Sequence, residues 1–188
     1  MKMEELFAML NQEEIIELLQ RMVRLKTVNP PGDERPLAEL LAGEMASFGM
    51  ETSVDLLDES RANVTGIIRG TGEKKSLLFN GHLDTVPPGD IKWDYDPYSA
   101  QIAEDKLYGR GSADMKSGLA AMIIAAKAIK KSNIKLKGDL IISGTAGEET
   151  DSIGAVKLLK SGGLNEVGAI VIGEPSSCGI NVSEKGAF

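Results

Sequence analysis

The sole histidine of this 188-residue chain, His82, and five acidic residues fall in four short stretches: Asn80-Gly81-His82-Leu83-Asp84, Ser112-Ala113-Asp114, Gly147-Glu148-Glu149 and Gly173-Glu174-Pro175. Neutral imidazole and carboxylate oxygens are the donor set of a catalytic zinc site, or of a site for a related divalent ion such as cobalt or manganese. A structural thiolate site is excluded, because Cys178 is the only cysteine. A fold that gathers so many carboxylates in one place needs cations to neutralise them. Asp84 is two residues from His82, so in extended backbone both side chains point the same way, and a carboxylate there can orient a metal-binding imidazole. Each residue alone has a plainer reading: a hydrogen-bonded histidine, a solvated Glu148-Glu149 turn, an Asp114 helix cap, a Glu174 that ends a strand, and an Asp84 that starts a turn. Their joint placement decides between the two.

That placement comes from the elements between them. Asn11 with Glu14 makes a capping box for a helix in which Ile15, Leu18, Leu19, Met22 and Val23 recur at helical spacing up to the Pro30-Pro31-Gly32 stop. A second helix is expected over 35–48, closed by Gly49, and strands over 52–57, 63–69, 76–80, 138–143 and 168–172. Helices over 116–131 and 152–160 alternate with the last three strands, which predicts right-handed crossovers. The expected fold is therefore α/β, a three-layer, largely parallel twisted sheet with helices on both faces. In that architecture ligands collect at the carboxyl ends of the strands. His82, Glu148, Glu149 and Glu174 all follow apolar strand runs, and Asp114 precedes a helix that opens onto the same edge. The segment 87–110, with Trp93, Tyr95, Tyr98 and a hairpin turning at Glu104-Asp105, reads as an excursion packed over the sheet edge whose aromatics form a local core.

Composition narrows the partners. A net charge of -7 disfavours nucleic acid and anionic membranes, both of which need a basic surface. Glu4, Glu5, Glu13 and Glu14 interrupt the apolar residues at the start, so no signal peptide is read there, and no apolar run is long enough to span a bilayer. With one cysteine, expected to be a buried free thiol, a reducing, cytoplasmic setting is expected. A mononucleotide site at Gly109-Arg110-Gly111 is the weaker reading, because the third glycine of the fingerprint is absent.

The four segments, written out as Asn80-Gly81-His82-Leu83-Asp84-Thr85-Val86-Pro87, Gly109-Arg110-Gly111-Ser112-Ala113-Asp114-Met115-Lys116-Ser117-Gly118, Gly147-Glu148-Glu149 and Ile172-Gly173-Glu174-Pro175, have a precedent. In order and wording the chain resembles the metal-dependent amidohydrolases and exopeptidases that include aminoacylase, acetylornithine deacetylase, succinyl-diaminopimelate desuccinylase, carboxypeptidase G and several dipeptidases. The resemblance implies a phosphorylase/hydrolase-like catalytic domain in which His82 and Glu174 bind one Zn2+, Asp114 bridges two, and Glu149 binds the second, with Co2+ or Mn2+ as substitutes. It implies Glu148 as general base, Asp84 as the residue that orients the ligands, and a cis peptide at Asp114-Met115. The implied reaction is hydrolysis of a linear amide, removing an acyl group from an N-acyl amino acid or cutting a dipeptide or a carboxy-terminal residue.

Members of that family are longer. The resemblance places a lid and dimerisation domain after the region near Gly186, and then the rest of the catalytic domain with a further metal-binding histidine. On this reading residues 1–188 are the N-terminal part of a catalytic domain. Such a part is expected to bind one cation well and a second weakly, to have little activity alone or to persist as a non-catalytic metal-binding remnant, and to expose a sheet edge through which it self-associates.

Overall fold

The computed structural model describes residues 3–177 and 179–180. Cys178 and the region near Gly186 lie outside the described residues. After a short α1 (Met3–Phe7), the apolar stripe of α2 (Gln12–Arg24) buries Leu18, Met22 and Val23. Asn11 caps it by accepting the Glu13 N–H at 2.9 Å. Only that half of the expected capping box forms, because the Glu14 carboxylate is drawn 2.7 Å from Lys127 on another helix. Next come α3 (Arg35–Ser47), with Pro36 in its first turn and Gly49 at φ +88° behind it, then β1 (Glu51–Leu56), β2 (Ala62–Ile68) and β3 (Ser76–His82). A hairpin of β4 (Gln101–Ala103) and β5 (Lys106–Tyr108) turns at Glu104 and Asp105, both with positive φ as a two-residue loop requires. The rest is α4 (Ser117–Lys131), β6 (Leu140–Thr145), α5 (Ile153–Lys160) and β7 (Val167–Ile172).

The main sheet runs β1-β2-β6-β3-β7. β6, β3 and β7 pair in parallel, whereas β2 is antiparallel to both β1 and β6, so four strands run one way and β2 the other. The parallel half is the one read from strand-helix alternation; the β1-β2 hairpin adds the antiparallel edge. Helices cover both faces. Val64, Gly144 and Gly81 stand side by side in the register and face the larger core: a Cβ on Gly81 would meet Met115 and Leu119, and one on Gly66, two residues along, would meet Met45 of α3. The opposite face is taken by α5, whose Gly154 carbonyl accepts from Asn63 Nδ2 at 2.9 Å.

Two features depart from what the pattern suggested. The 87–110 excursion packs on α2 rather than over the sheet edge: Gln20 Nε2 donates to the Ala100 carbonyl at 3.0 Å, and Val23 stands against Gly109. Its aromatics do form local contacts, with Tyr95 and Tyr108 rings 4.8 Å apart and the Arg110 guanidinium 5.4 Å from the Trp93 ring. The helix expected from Lys116 begins one residue later, after a turn over Ser112–Lys116 in which Asp114 and Met115 leave helical φ/ψ and are joined by a cis peptide. Asn29-Pro30 and Pro30-Pro31 are cis as well. At the far edge β7 leaves Ile170, Val171 and Ile172 about half exposed, the apolar edge that was expected. No helix among the described residues is long and apolar enough to cross a membrane.

Candidate metal centre

His82 ends β3 and is buried at 2% exposure, so its ring is held rather than free to rotate. Nδ1 lies 2.9 Å from the main-chain carbonyl of Asp84, and Nε2 lies 3.0 Å from Asp114 Oδ1 and 3.6 Å from Glu174 Oε1. A carbonyl can only accept, so Nδ1 carries a proton and Nε2 is the nitrogen turned to the carboxylates. Burial disfavours charge on this ring, but the carboxylates of Glu174, Asp114 and Asp84 outweigh it and raise its pKa.

The carboxylate of Asp84 has a different task from the one its spacing suggested. Its Oδ1 is 3.7 Å from His82 Nδ1, too far for a hydrogen bond, so the imidazole is oriented by the carbonyl of Asp84 and not by its side chain. Instead, fully buried, Oδ1 accepts the N–H groups of Gly147 and Glu148 at 3.0 and 3.1 Å, and Oδ2 accepts the Glu149 N–H at 3.1 Å and Asn29 Nδ2 at 2.9 Å. Three consecutive N–H groups thus converge on one buried carboxylate, which fixes the turn after β6 that carries Glu148 and Glu149. Gly147, at φ +82°, supplies the backbone conformation the turn needs.

Asp114 projects from the turn before α4 with its side chain 54% exposed. The turn is pinned from below. The His82 N–H points at Met115 Sδ at 3.1 Å, and the Lys116 ammonium, fully buried, donates to the carbonyls of Met22 and Leu25 at 3.0 and 2.9 Å, closing the carboxyl end of α2. Burial pushes the Lys116 pKa down to about 7. Glu174 follows β7 directly. Its pKa is pushed up to about 7 by burial and by Asp114 and Glu148, against the pull of His82. Glu149 shifts upward too, from burial first and then from Asp114, Glu148 and Asp84. Two carboxyls pushed upward first by burial and then by acidic neighbours fit a place where a cation would be favoured.

Ligand atoms of His82, Asp114 and Glu149 lie within 4.8 Å of one another, and Glu174 Oε1 faces the same His82 nitrogen as Asp114, at 3.6 Å. Glu148 is exposed and lines a 180 Å³ cavity with His82, Asn80, Thr145, Ser152 and Glu174. Two larger clefts, of about 410 and 440 Å³, lie elsewhere and are lined by none of the six residues. The donor set fits a borderline divalent cation, with one imidazole and several carboxylates open to solvent on one side. Unread in the sequence were Asn29, Glu34, Arg61 and Lys116, which hold the site without forming it. For Lys116 a signal existed: it falls on the apolar stripe of Leu119, Ala120 and Ile123, where a cation needs buried acceptors.

Comparison with known proteins agrees with this geometry. A family model described as Peptidase family M20/M25/M40 matches residues 78–183. The chain is 34% identical over 180 residues to a "Probable succinyl-diaminopimelate desuccinylase" of Staphylococcus epidermidis, covering 95% of this chain and 44% of that protein. It is 38% identical over 167 residues to a succinyl-diaminopimelate desuccinylase of Thioalkalivibrio sulfidiphilus, covering 86% and 43%. The chain therefore spans under half the length of these curated relatives. Among solved structures, human carnosine dipeptidase 1 superposes with a TM-score of 0.75 at 24% identity, over 90% of this chain and 40% of that one, a likeness of fold.

Proposed function

Because this chain belongs to peptidase family M20/M25/M40, we propose that it is the N-terminal part of the catalytic domain of a metal-dependent hydrolase that removes the acyl group from an N-acyl amino acid. The desuccinylase names of relatives at 34% and 38% identity support this substrate class over the dipeptides and peptides that other members cleave. The observation that carries the reading is the convergence of His82, Asp114 and Glu149 within 4.8 Å, beside a second glutamate on the same turn. His82 and Glu174 would hold one Zn2+, Asp114 would lie between two, and Glu149 would hold the second, with a further ligand supplied from beyond this chain. Homodimerisation, as the family resemblance implies, would also rest on residues beyond it. A cytoplasmic setting is supported by the single cysteine.

When bound, such cations supply Lewis acidity toward the amide carbonyl and make a nearby water more acidic. Glu148 then acts as base, taking a proton from the attacking water and returning it to the leaving nitrogen. Asp84 keeps that base in place by holding its own N–H. His82, its Nδ1 tied to a carbonyl, presents Nε2 in one tautomer throughout.

Three measurements test this. The isolated chain should take up one divalent cation tightly and a second weakly in calorimetric titration, and two tight sites or none would overturn the ligand assignment. In the longer protein, Glu148→Gln should lower kcat by about 10²- to 10⁴-fold with cobalt uptake retained. Undiminished turnover removes Glu148 as base. A panel of N-succinyl and N-acetyl amino acids and dipeptides then decides the acyl preference.

A further inference from the structure

Arg61 stands one residue before β2, between two turns that are distant in sequence. Its side chain is only 10% exposed. Nη1 and Nη2 each donate to one carboxylate oxygen of Asp151 at 3.3 Å, a two-point fork that a planar guanidinium makes and an ammonium cannot. Nε faces Oε2 of Glu34 at 3.4 Å, and among the described residues Arg61 is the cation that balances this completely buried carboxylate.

The surrounding backbone is shaped around this guanidinium. A Cβ on Gly32 would stand 2.8 Å from Nε, and one on Gly147 would collide with Nη2. Both glycines have left-handed φ, +93° and +82°, so each leaves space for Arg61 and bends its turn in one stroke. One of those glycines begins the turn that bears Glu148 and Glu149.

Asn63 holds the flanks of that turn, accepting the Ala146 N–H at 3.0 Å and donating to the Gly154 carbonyl at 2.9 Å, and between Gly147 and Asp151 there are three further side-chain attachments. Asp84 holds the N–H groups of Gly147, Glu148 and Glu149; Asn29 Nδ2 donates to Thr150 Oγ1 at 2.7 Å; Arg61 holds Asp151. Asp84 and Asn29 also bond each other, at 2.9 Å, and so form one anchor. Arg61 is the second and independent anchor, at the far end. Between the flanks held by Asn63, these two anchors bracket the segment that bears Glu148 and Glu149.

We propose that Arg61, seated on Glu34, is a positioning residue that sets the placement of Glu148 and Glu149 toward the cation site. The role in metal uptake rests on the function proposed above; the anchoring does not. Asp151→Asn weakens the fork at a half-exposed position without leaving a new charge buried, and Arg61→Lys keeps the charge but loses the fork. In the metal-free chain, amide hydrogen exchange at 147–149 should quicken about tenfold in both variants, the factor equivalent to one hydrogen bond to a charged group, while β3 amides stay unchanged. The visible spectrum of the cobalt-loaded variants should change as well, with Glu149 displaced. Unchanged exchange at 147–149 would overturn the proposal, as would faster exchange with an unaltered cobalt spectrum, which reduces Arg61 to a structural strut. A chain that takes up no cobalt would sink the functional reading, and the exchange rates would still decide the anchor.

Discussion

The two walls of the crevice are built by different physics. On the inner wall, His82 and Asp84 are 2% and 0% exposed, and the Asp84 carboxylate is satisfied by three main-chain N–H groups and an asparagine amide. On the outer wall the side chains of Asp114 and Glu174 are 54% and 41% exposed, and what faces them is His82 and each other's charge. Neutral donors stabilise the first carboxylate whether or not a cation is bound. Among the described residues no neutral donor serves the second pair, so on the proposed function its balance would depend on the cation. On the proposed function, the inner wall is a preformed half-site and the outer wall the half that a metal would complete.

The sharpest way to break this contrast is Asp84→Ala. It would leave three adjacent N–H groups without an acceptor, and the Asn29 amide with Thr150 alone, at about 1–3 kcal/mol for each group that water cannot reach. Allowing water to satisfy some of them, the expected loss is about 3–5 kcal/mol, measured as a shift of the urea midpoint at constant slope. A loss below about 1 kcal/mol would mean the inner wall is not held as described.

Next in size is Gly118→Ala, which addresses how the outer wall is supported. Gly118, in the first turn of α4, lies so close to Gly173 that an added Cβ would overlap the Gly173 carbonyl oxygen. Backbone cannot move aside as a flexible side chain can, so the cost should be about 1–3 kcal/mol. The displacement should also weaken cobalt uptake, since Gly173 directly precedes Glu174. Full uptake in a destabilised variant would separate packing from ligation and break the link.

The cluster was legible in the sequence because its members sit at strand ends and before a helix, where local pattern alone fixes the edge they share. The parallel order of β3, β6 and β7 was legible for the same reason. What holds the inner wall was not. Asn29 meets Asp84 across 55 residues and Thr150 across 121, and Arg61 meets Asp151 across 90. An asparagine before two prolines and an arginine beside a strand each have an ordinary local reading. The placement of β2 against β6 is likewise a long-range pairing that no local period announces. The two-residue spacing of His82 and Asp84 did indicate contact, but the contact formed through a carbonyl, an atom every residue has.

A smaller effect, in pH dependence, separates Glu34 from the outer-wall acids. Burial raises the Glu34 pKa above its ordinary 4.5, against the pull of Arg61. Below 4.5 folded and unfolded chains both hold the proton; as pH climbs past that value the unfolded chain releases it first. Stability from this group is therefore full at low pH and is lost as pH rises through the folded-state pKa. Glu34→Gln cannot titrate, so its Tm-against-pH curve should be flatter than that of the parent above 4.5. Parallel curves would show that Arg61 neutralises Glu34 completely.

The smallest expected change in stability is the one that tests the contrast most directly. Glu174 is a carboxyl whose charge the fold disfavours, with its pKa at about 7 from burial and from Asp114 and Glu148. Glu174→Gln removes that repulsion and keeps the shape, while giving up the attraction to His82 at 3.6 Å. The two nearly cancel at a partly exposed site, so the metal-free variant should match the parent within about 0.5 kcal/mol. Cobalt affinity, in contrast, should fall at least about tenfold, because a neutral amide replaces an anionic oxygen donor. A wall held by hydrogen bonds shows its importance in the metal-free fold; a wall held by a cation shows it only on titration. If Glu174→Gln cost the metal-free chain as much as Asp84→Ala, both walls would be preformed, and the outer carboxylates would need a partner within the protein that has so far been assigned to the metal.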